Sequence, residues 1–177
     1  YLIFDKSLED LPILLAGLAK NIKLIGVDPC ESTIDSLDSV LKGKKVNNLY
    51  LLAHGSAGSI ALGKDNINSN FLKDNSSIIS NWSINNLHLY SCDVGQDHSF
   101  IQSLDHITNS NIFYSLEKVG HAACGGSWDL LSTHKDSSLT SNNIVPFNSC
   151  AISNWKNSLG VLQLNDAEVA SFVTNPT

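Results

Sequence analysis

The sequence predicts an α/β fold with a mostly parallel central sheet. Short, almost continuously apolar runs of strand length recur over roughly the first 115 residues, and segments with helical spacing of apolar residues separate them. Strands without polar alternation are those buried on both faces, as in parallel sheets covered by helices. YLIF (1–4) reads as the first strand. Asp10 is placed to cap a helix with Pro12 in its first turn, and Leu11, Leu14, Leu15 and Leu18 share one face. IKLIGV (22–27) is the second strand. Ser32 and Asp35 make a capping-box-like start for a helix with Ile34, Leu37, Val40 and Leu41 on one side, which Gly43 can end. NLYLLA (48–53) and LHLYS (87–91) are the third and fourth strands. A helix carrying Phe100, Ile101, Leu104 and Ile107 follows, and NIFYSL (111–116) is the fifth strand.

The stretch 54–86 breaks this rhythm with a Gly/Ser-rich turn (HGSAGS), a short apolar IAL and a polar, helix-like segment from Phe71 to Trp82. Residues 1–135 are therefore read as one α/β domain, and 136–177 as a Ser/Asn-rich linker and C-terminal extension. Within the extension, VLQLNDAEVASFV reads as a strand or the opening of a further module.

At 177 residues the chain is long enough for one domain with a real core. A 42% hydrophobic content with mean hydropathy near zero marks a globular chain and not a disordered one. Apolar runs such as LYLLA are too short to span a bilayer. The net charge is −6 and all eleven basic residues are lysine, which argues against nucleic acid as a partner, since base-edge and bidentate phosphate recognition lean on Arg. The chain opens at Tyr1 without Met or an apolar leader, as expected of a piece of something longer. Cys30, Cys92, Cys124 and Cys150 show no C-x-x-C pairing; a pair such as Cys30–Cys150 could be oxidised in a secreted setting, and all four would stay reduced in cytosol. About a quarter of the residues are Ser or Asn, which suits an extracellular protein.

The chemistry sits at two strand ends. The third strand runs straight into His54-Gly55-Ser56, and the fourth into Ser91-Cys92-Asp93. Ligands of open α/β sheets bind outside the carboxyl ends of the strands. If these strands are neighbours, about 4.8 Å apart, His54 and Cys92 share one site. A thiol beside an imidazole supplies nucleophilic acyl transfer: His54 takes the proton, the thiolate attacks a carbonyl, and His54 returns the proton to the leaving group. The amides of Gly55 and Cys92 are natural oxyanion donors. No third, orienting carboxylate is evident.

Plainer readings stand beside this one. His54 can be a turn histidine and Cys92 a small buried hydrophobe. His54, Cys92, His121 and Cys124 could in principle form a zinc set, although there is no second close ligand pair. Asp93, Asp97 and Asp129 read as helix-start or loop carboxylates, because no D-x-D-x-D-G calcium pattern occurs. His88, between Leu87 and Leu89, reads as a packing residue; His98, His106 and His134 as surface residues; Trp82, Trp128 and Trp155 as anchors of loops or late strands. A serine hydrolase is excluded by the lack of a G-x-S-x-G elbow.

A hydrophobic strand ending in His-Gly, then a second ending in Cys, resembles the caspase-like cysteine peptidases, the group of gingipains, clostripain, separase and legumain. The sequence is more closely similar to domain of unknown function 4347, found near the N-termini of very large bacterial surface and repeat proteins. The likeness lies in YLIFDKSLEDLPILLAGL, LLAHGSAGSIALG, LYSCDVG and GGSWDLL, in that order, and covers roughly residues 1–133. The sequence departs from it where Leu116-Glu117-Lys118 replaces an acidic pair, and in the extra Cys124 of HAACGGSW.

The resemblance implies a caspase-like three-layer α/β sandwich and a cysteine endopeptidase with a His54/Cys92 dyad, part of a larger secreted or cell-surface bacterial protein. The other reading it allows is a catalytically silent N-terminal module of an adhesin-type protein. Caspases that cut after Asp hold that acid with Arg, which this chain lacks, whereas the gingipain and clostripain side suggests an acidic pocket for a basic residue. Glu117 is the candidate for that pocket and Asp93 the second choice. The expected partner is a polypeptide, the chain's own linker included, with cleavage after Lys156 as the self-processing site. No cofactor and no metal are expected, and a calcium dependence, conceivable at a cell surface, is not predicted by any motif.

Overall fold

The computed structural model describes residues 1–134 and 145–160. The elements run β1 (Leu2–Asp5), α1 (Leu11–Leu15), β2 (Leu24–Val27), α2 (Thr33–Leu41), β3 (Lys45–Leu52), β4 (His54–Ser56), β5 (Ser59–Leu62), β6 (Asp65–Ile67), α3 (Ser69–Asp74), α4 (Ser76–Ile79), β7 (Ser83–Tyr90), α5 (His98–Thr108), β8 (Asn111–Tyr114), β9 (Leu131–Ser132) and α6 (Ser149–Asn154). The central sheet has six strands in the order β2-β1-β3-β7-β8-β9, parallel throughout except for the β8–β9 pair. The expected α/β class with a mostly parallel sheet between helical layers is the one found.

Period-two alternation divides the sheet into two apolar faces. Ile3, Leu49, Leu51, Leu87, Leu89 and Ile112 pack with Leu37 and Leu41 of α2, Leu72 of α3, Ile79 of α4 and Phe100, Ile101 and Leu104 of α5. Leu2, Phe4, Tyr50, Leu52, Tyr90 and Phe113 face the other way, towards Leu11 and Leu14 of α1 and Ala151 of α6. Trp128 and Trp155 complete this second core, their rings edge to face at 5.8 Å. Among the described residues, no helix is long and apolar enough to cross a membrane.

Several local expectations are corrected. Asp10 lies at the N-terminal boundary of α1 with φ 50°, and its side chain makes no cap; Oδ2 instead accepts from Asn157 Nδ2 at 3.0 Å. Ser32 makes no side-chain cap either, and the Thr33 amide at the start of α2 donates to Asp65 of β6 at 3.1 Å. The break at 54–67 is a three-stranded antiparallel sheet, β4-β5-β6, whose Ile60, Leu62 and Ile67 join the first core. Its loop is tied to the main sheet by the buried Asp5, which accepts from the Gly63 amide at 2.9 Å.

Residues 145–160, assigned from sequence to the linker and extension, carry Phe147, Ala151, Trp155 and Leu159 into the second core. Trp155 is 1% exposed, and its indole N–H donates to the Glu9 carbonyl at 2.9 Å. Lys135, the Ser/Asn-rich stretch 136–144 and the VLQLNDAEVASFV segment lie outside the described residues.

Candidate active site

β3 and β7 pair in parallel from Lys45↔Ser83 to Leu52↔Tyr90. His54 and Cys92 therefore each lie two residues past the last paired position, at the carboxyl edge of the sheet. The strand ends stay joined beyond the ladder. The Ala53 amide donates to the Tyr90 carbonyl at 3.3 Å, and Ser91 Oγ donates to the Ala53 carbonyl at 2.9 Å. Gly55 abuts the backbone of Cys92 so closely that a Cβ there would fall 2.6 Å from Ser91 Cβ and 3.0 Å from the Cys92 carbonyl oxygen. Any side chain at position 55 would force the two strand ends apart.

His54 is half-buried, and its Nδ1 is buried with no hydrogen-bond partner among the described residues. Cys92 is fully buried in the second core. Its Sγ accepts from the Val119 amide at 3.1 Å. Burial pushes the Cys92 thiol up from its ordinary value, the neighbouring Asp93 carboxylate adds to this, and the Val119 and Leu159 amides and Lys118 oppose it. Immediately after the cysteine, Asp93 adopts φ 58°, a left-handed conformation uncommon for a non-glycine residue, which turns the chain sharply away from the strand.

Beside Cys92 and Gly55 runs a length of the chain itself. The backbone of Asn157–Gly160 lies along 119–121: the Leu159 amide donates to the Val119 carbonyl at 2.8 Å, and the His121 amide donates to the Asn157 carbonyl at 3.0 Å. On the other side, the Gly55 amide donates to the Leu159 carbonyl at 2.9 Å. Leu159 is fully buried in the core that holds Cys92. A Cβ on Gly160 would stand 3.7 Å from Cys92 Sγ. Gly120 makes the close approach possible, since a Cβ there would lie 2.6 Å from the Asn157 carbonyl oxygen.

The structure thus brings His54, Gly55 and Cys92 to one edge and separates the other candidates. Asp93 is partly buried, and its Oδ1 accepts from Gln96 at 3.0 Å. Glu117 has an exposed side chain; its carbonyl accepts from the Asp93 amide at 3.0 Å. Lys156 is exposed, with Nζ 3.0 Å from His121 Nε2 and its carbonyl accepting from Cys124 Sγ at 3.2 Å. His121 and Cys124 thus meet Lys156. Among the described residues, no three His, Cys, Asp or Glu side chains gather as metal ligands would. Cys30, Cys124 and Cys150 are exposed free thiols. His88 is buried between the rings of Tyr50 and Phe113, at 4.6 and 4.4 Å, with Nε2 3.2 Å from Asn48 Oδ1.

Sequence reasoning missed Val119, Gly120, Leu159 and Gly160. A signal was present for Leu159 alone: Phe147, Ala151, Trp155 and Leu159 recur every fourth residue, a buried stripe inside an otherwise polar stretch.

Comparison with curated proteins finds no match, and comparison with solved structures finds none. The family model described as "Domain of unknown function (DUF4347)" matches residues 1–159, a span that ends at the leucine docked beside Cys92 and takes in almost every described residue. The chain belongs to that family.

Proposed function

We propose that this domain is a cysteine endopeptidase in which Cys92 is the nucleophile and His54 the proton carrier. The observation that carries the reading is the shared edge. A thiol and an imidazole leave adjacent parallel strands at the same register, and the amide following the imidazole already donates to a peptide carbonyl beside the thiol. In this scheme the Cys92 proton passes to His54 and Sγ attacks the carbonyl carbon of the bound peptide. The Gly55 N–H carries the charge that develops on oxygen. Collapse of the tetrahedral intermediate releases the amine, which takes the proton from His54, and water then hydrolyses the thioester. Because burial holds the free thiol protonated, the role of His54 is to remove that proton once a substrate is seated.

A second reading, a silent module of a larger surface protein, is favoured by one feature. Cys92 is wholly buried, and its sulfur is engaged by Val119.

Thiol-reactive peptide probes carrying either leucine or lysine next to the warhead separate the readings. Labelling of Cys92 that is lost in His54→Ala supports the peptidase. Absence of labelling, or labelling indifferent to His54→Ala, supports the silent module. A lysine probe that outcompetes the leucine probe supports the basic preference expected from Glu117.

A further inference from the structure

We infer that the substrate of this site is the chain's own Leu159–Gly160 bond, an inference that rests on the peptidase reading and names its target. A peptidase marks its scissile bond by the carbonyl it polarises. Here that carbonyl belongs to Leu159, because it accepts the Gly55 hydrogen bond at 2.9 Å. The residue that follows, Gly160, lies against the thiol, its would-be Cβ only 3.7 Å from Sγ. The residues before the bond are held in extended form by the Leu159-to-Val119 and His121-to-Asn157 hydrogen bonds, the main-chain pairing by which a cleft binds a strand-like peptide. The Leu159 side chain fills the apolar core that Cys92 also joins, so the residue preceding the cut is anchored by burial.

The wall of the cleft is shaped for this segment. Gly120, at φ 144°, could carry no side chain without meeting Asn157 and Ser158. Lys156 lies three residues before Leu159, with its side chain exposed and turned to His121 and its carbonyl on Cys124.

The step balances within the chain and one water. Sγ forms a bond to the Leu159 carbonyl carbon as the thiol proton moves to His54. The bond from that carbon to the Gly160 nitrogen breaks, and His54 protonates the departing amine. Water then cleaves the thioester, leaving a carboxylate on Leu159, a new amino terminus at Gly160 and a free Cys92.

The test is intact-mass measurement, with terminal sequencing, on the 177-residue chain under reducing conditions. The wild type is expected to release a peptide that begins Gly160-Val161. Cys92→Ala and His54→Ala are expected to stay whole, Leu159→Asp to be cut at least tenfold more slowly, and Lys156→Gln to be cut like the wild type. Because Leu159 is buried, Lys156→Gln and Cys92→Ala keep the test independent of any folding defect in Leu159→Asp. A Cys92-dependent cut at another bond, such as that after Lys156, overturns the inference and leaves the peptidase reading standing. So does an uncut wild type whose Cys92 is still labelled by a peptide probe in a His54-dependent way. An uncut wild type with no such labelling overturns both.

Discussion

The Cys92 sulfur accepts a hydrogen bond from the Val119 amide at 3.1 Å and lies 3.5 Å from the Val119 carbonyl oxygen, on the same residue whose carbonyl binds the Leu159 amide. The Cys92 thiol and the docked segment thus share one anchor. The thiol is shut off from solvent, and burial raises its pKa, so its thiolate fraction near neutrality is below that of an ordinary cysteine and grows as pH rises. In Cys92→Ala the buried Val119 amide loses its sulfur partner, at a cost of about 1–3 kcal/mol.

Small, non-peptide alkylation should follow exposure and pKa together. With iodoacetamide on the native chain, Cys30, Cys124 and Cys150 are expected to react first and Cys92 last, slower by about tenfold or more. Raising the pH should narrow the gap. Peptide mapping of the alkylated sites checks this, and a Cys92 that reacts first near neutral pH would mean an already ionised thiol.

His88 makes stability depend on pH. Burial lowers its pKa from 6.5 to about 4, because the ring is held neutral between Tyr50 and Phe113. The unfolded chain takes up a proton near pH 6.5 and the folded chain does not, so stability is complete above that pH and is lost as pH falls towards 4. The loss approaches roughly 3 kcal/mol at the lower end, accumulating at about 1.4 kcal/mol for each pH unit between the two values. In His88→Phe the slope between pH 6.5 and 4.5 should flatten, as urea titrations at several pH values would show. An unchanged slope would place the proton uptake elsewhere.

The aromatic core formed by residues 145–160 gives the third expectation. Trp155→Ala removes a buried indole that packs on Trp128 and donates to Glu9. The expected cost is about 3–5 kcal/mol. Thermal unfolding should shift down by an amount on the order of 10 °C. Ending the chain at residue 134 should be worse still, since it uncovers Leu11 and Leu14 of α1 as well as Trp128. A truncated chain that melts like the full one would show that the second core closes without this segment.

How far the sequence reveals this molecule depends on how each element is stabilised. β1, β3, β7 and β8 were legible because strands covered on both faces are mostly apolar, as Leu49–Leu52 are and as Leu87–Tyr90 are apart from His88, while β2, at the sheet edge with Leu24 exposed, was legible from its apolar run alone. The His54 and Cys92 positions followed from those strands, since a polar residue at the carboxyl end of a buried run has nowhere to lie but the sheet edge. β4, β5 and β6 were not legible, because three- and four-residue strands in a Gly/Ser-rich setting carry too little periodicity. The caps expected at Asp10 and Ser32 failed because tertiary partners, Asn157 and Asp65, satisfy the groups concerned. The segment Asn157–Gly160 was hidden for another reason. The stripe that ends at Leu159 marks that residue as buried, but the path of the segment is set by backbone hydrogen bonds, which no side-chain pattern reports.

Gly120 is where those backbone bonds are open to test. Its φ of 144° is disfavoured for any residue with a side chain, and a Cβ there would press on the Asn157 carbonyl oxygen and Ser158 Cα, both at 2.6 Å. Both are backbone atoms, so the strain is relieved only by moving the segment. Gly120→Ala should therefore lift residues 157–160 off the cleft while the sheet, which Gly120 does not join, stays intact. The expected cost is about 1–3 kcal/mol. Faster amide exchange at Leu159 and His121 is expected, with no change at Leu51 or Leu89, because only the first two amides bridge segment and cleft. The same substitution should slow release of the 160–177 peptide, since the Leu159 carbonyl then leaves the Gly55 amide. Hydrogen exchange read residue by residue, on chains carrying Cys92→Ala so that none is cut, separates the two effects. Uniform loss of protection across the sheet would instead mean that Gly120 supports the whole fold, and unchanged protection at Leu159 that the segment is held by its buried side chain alone.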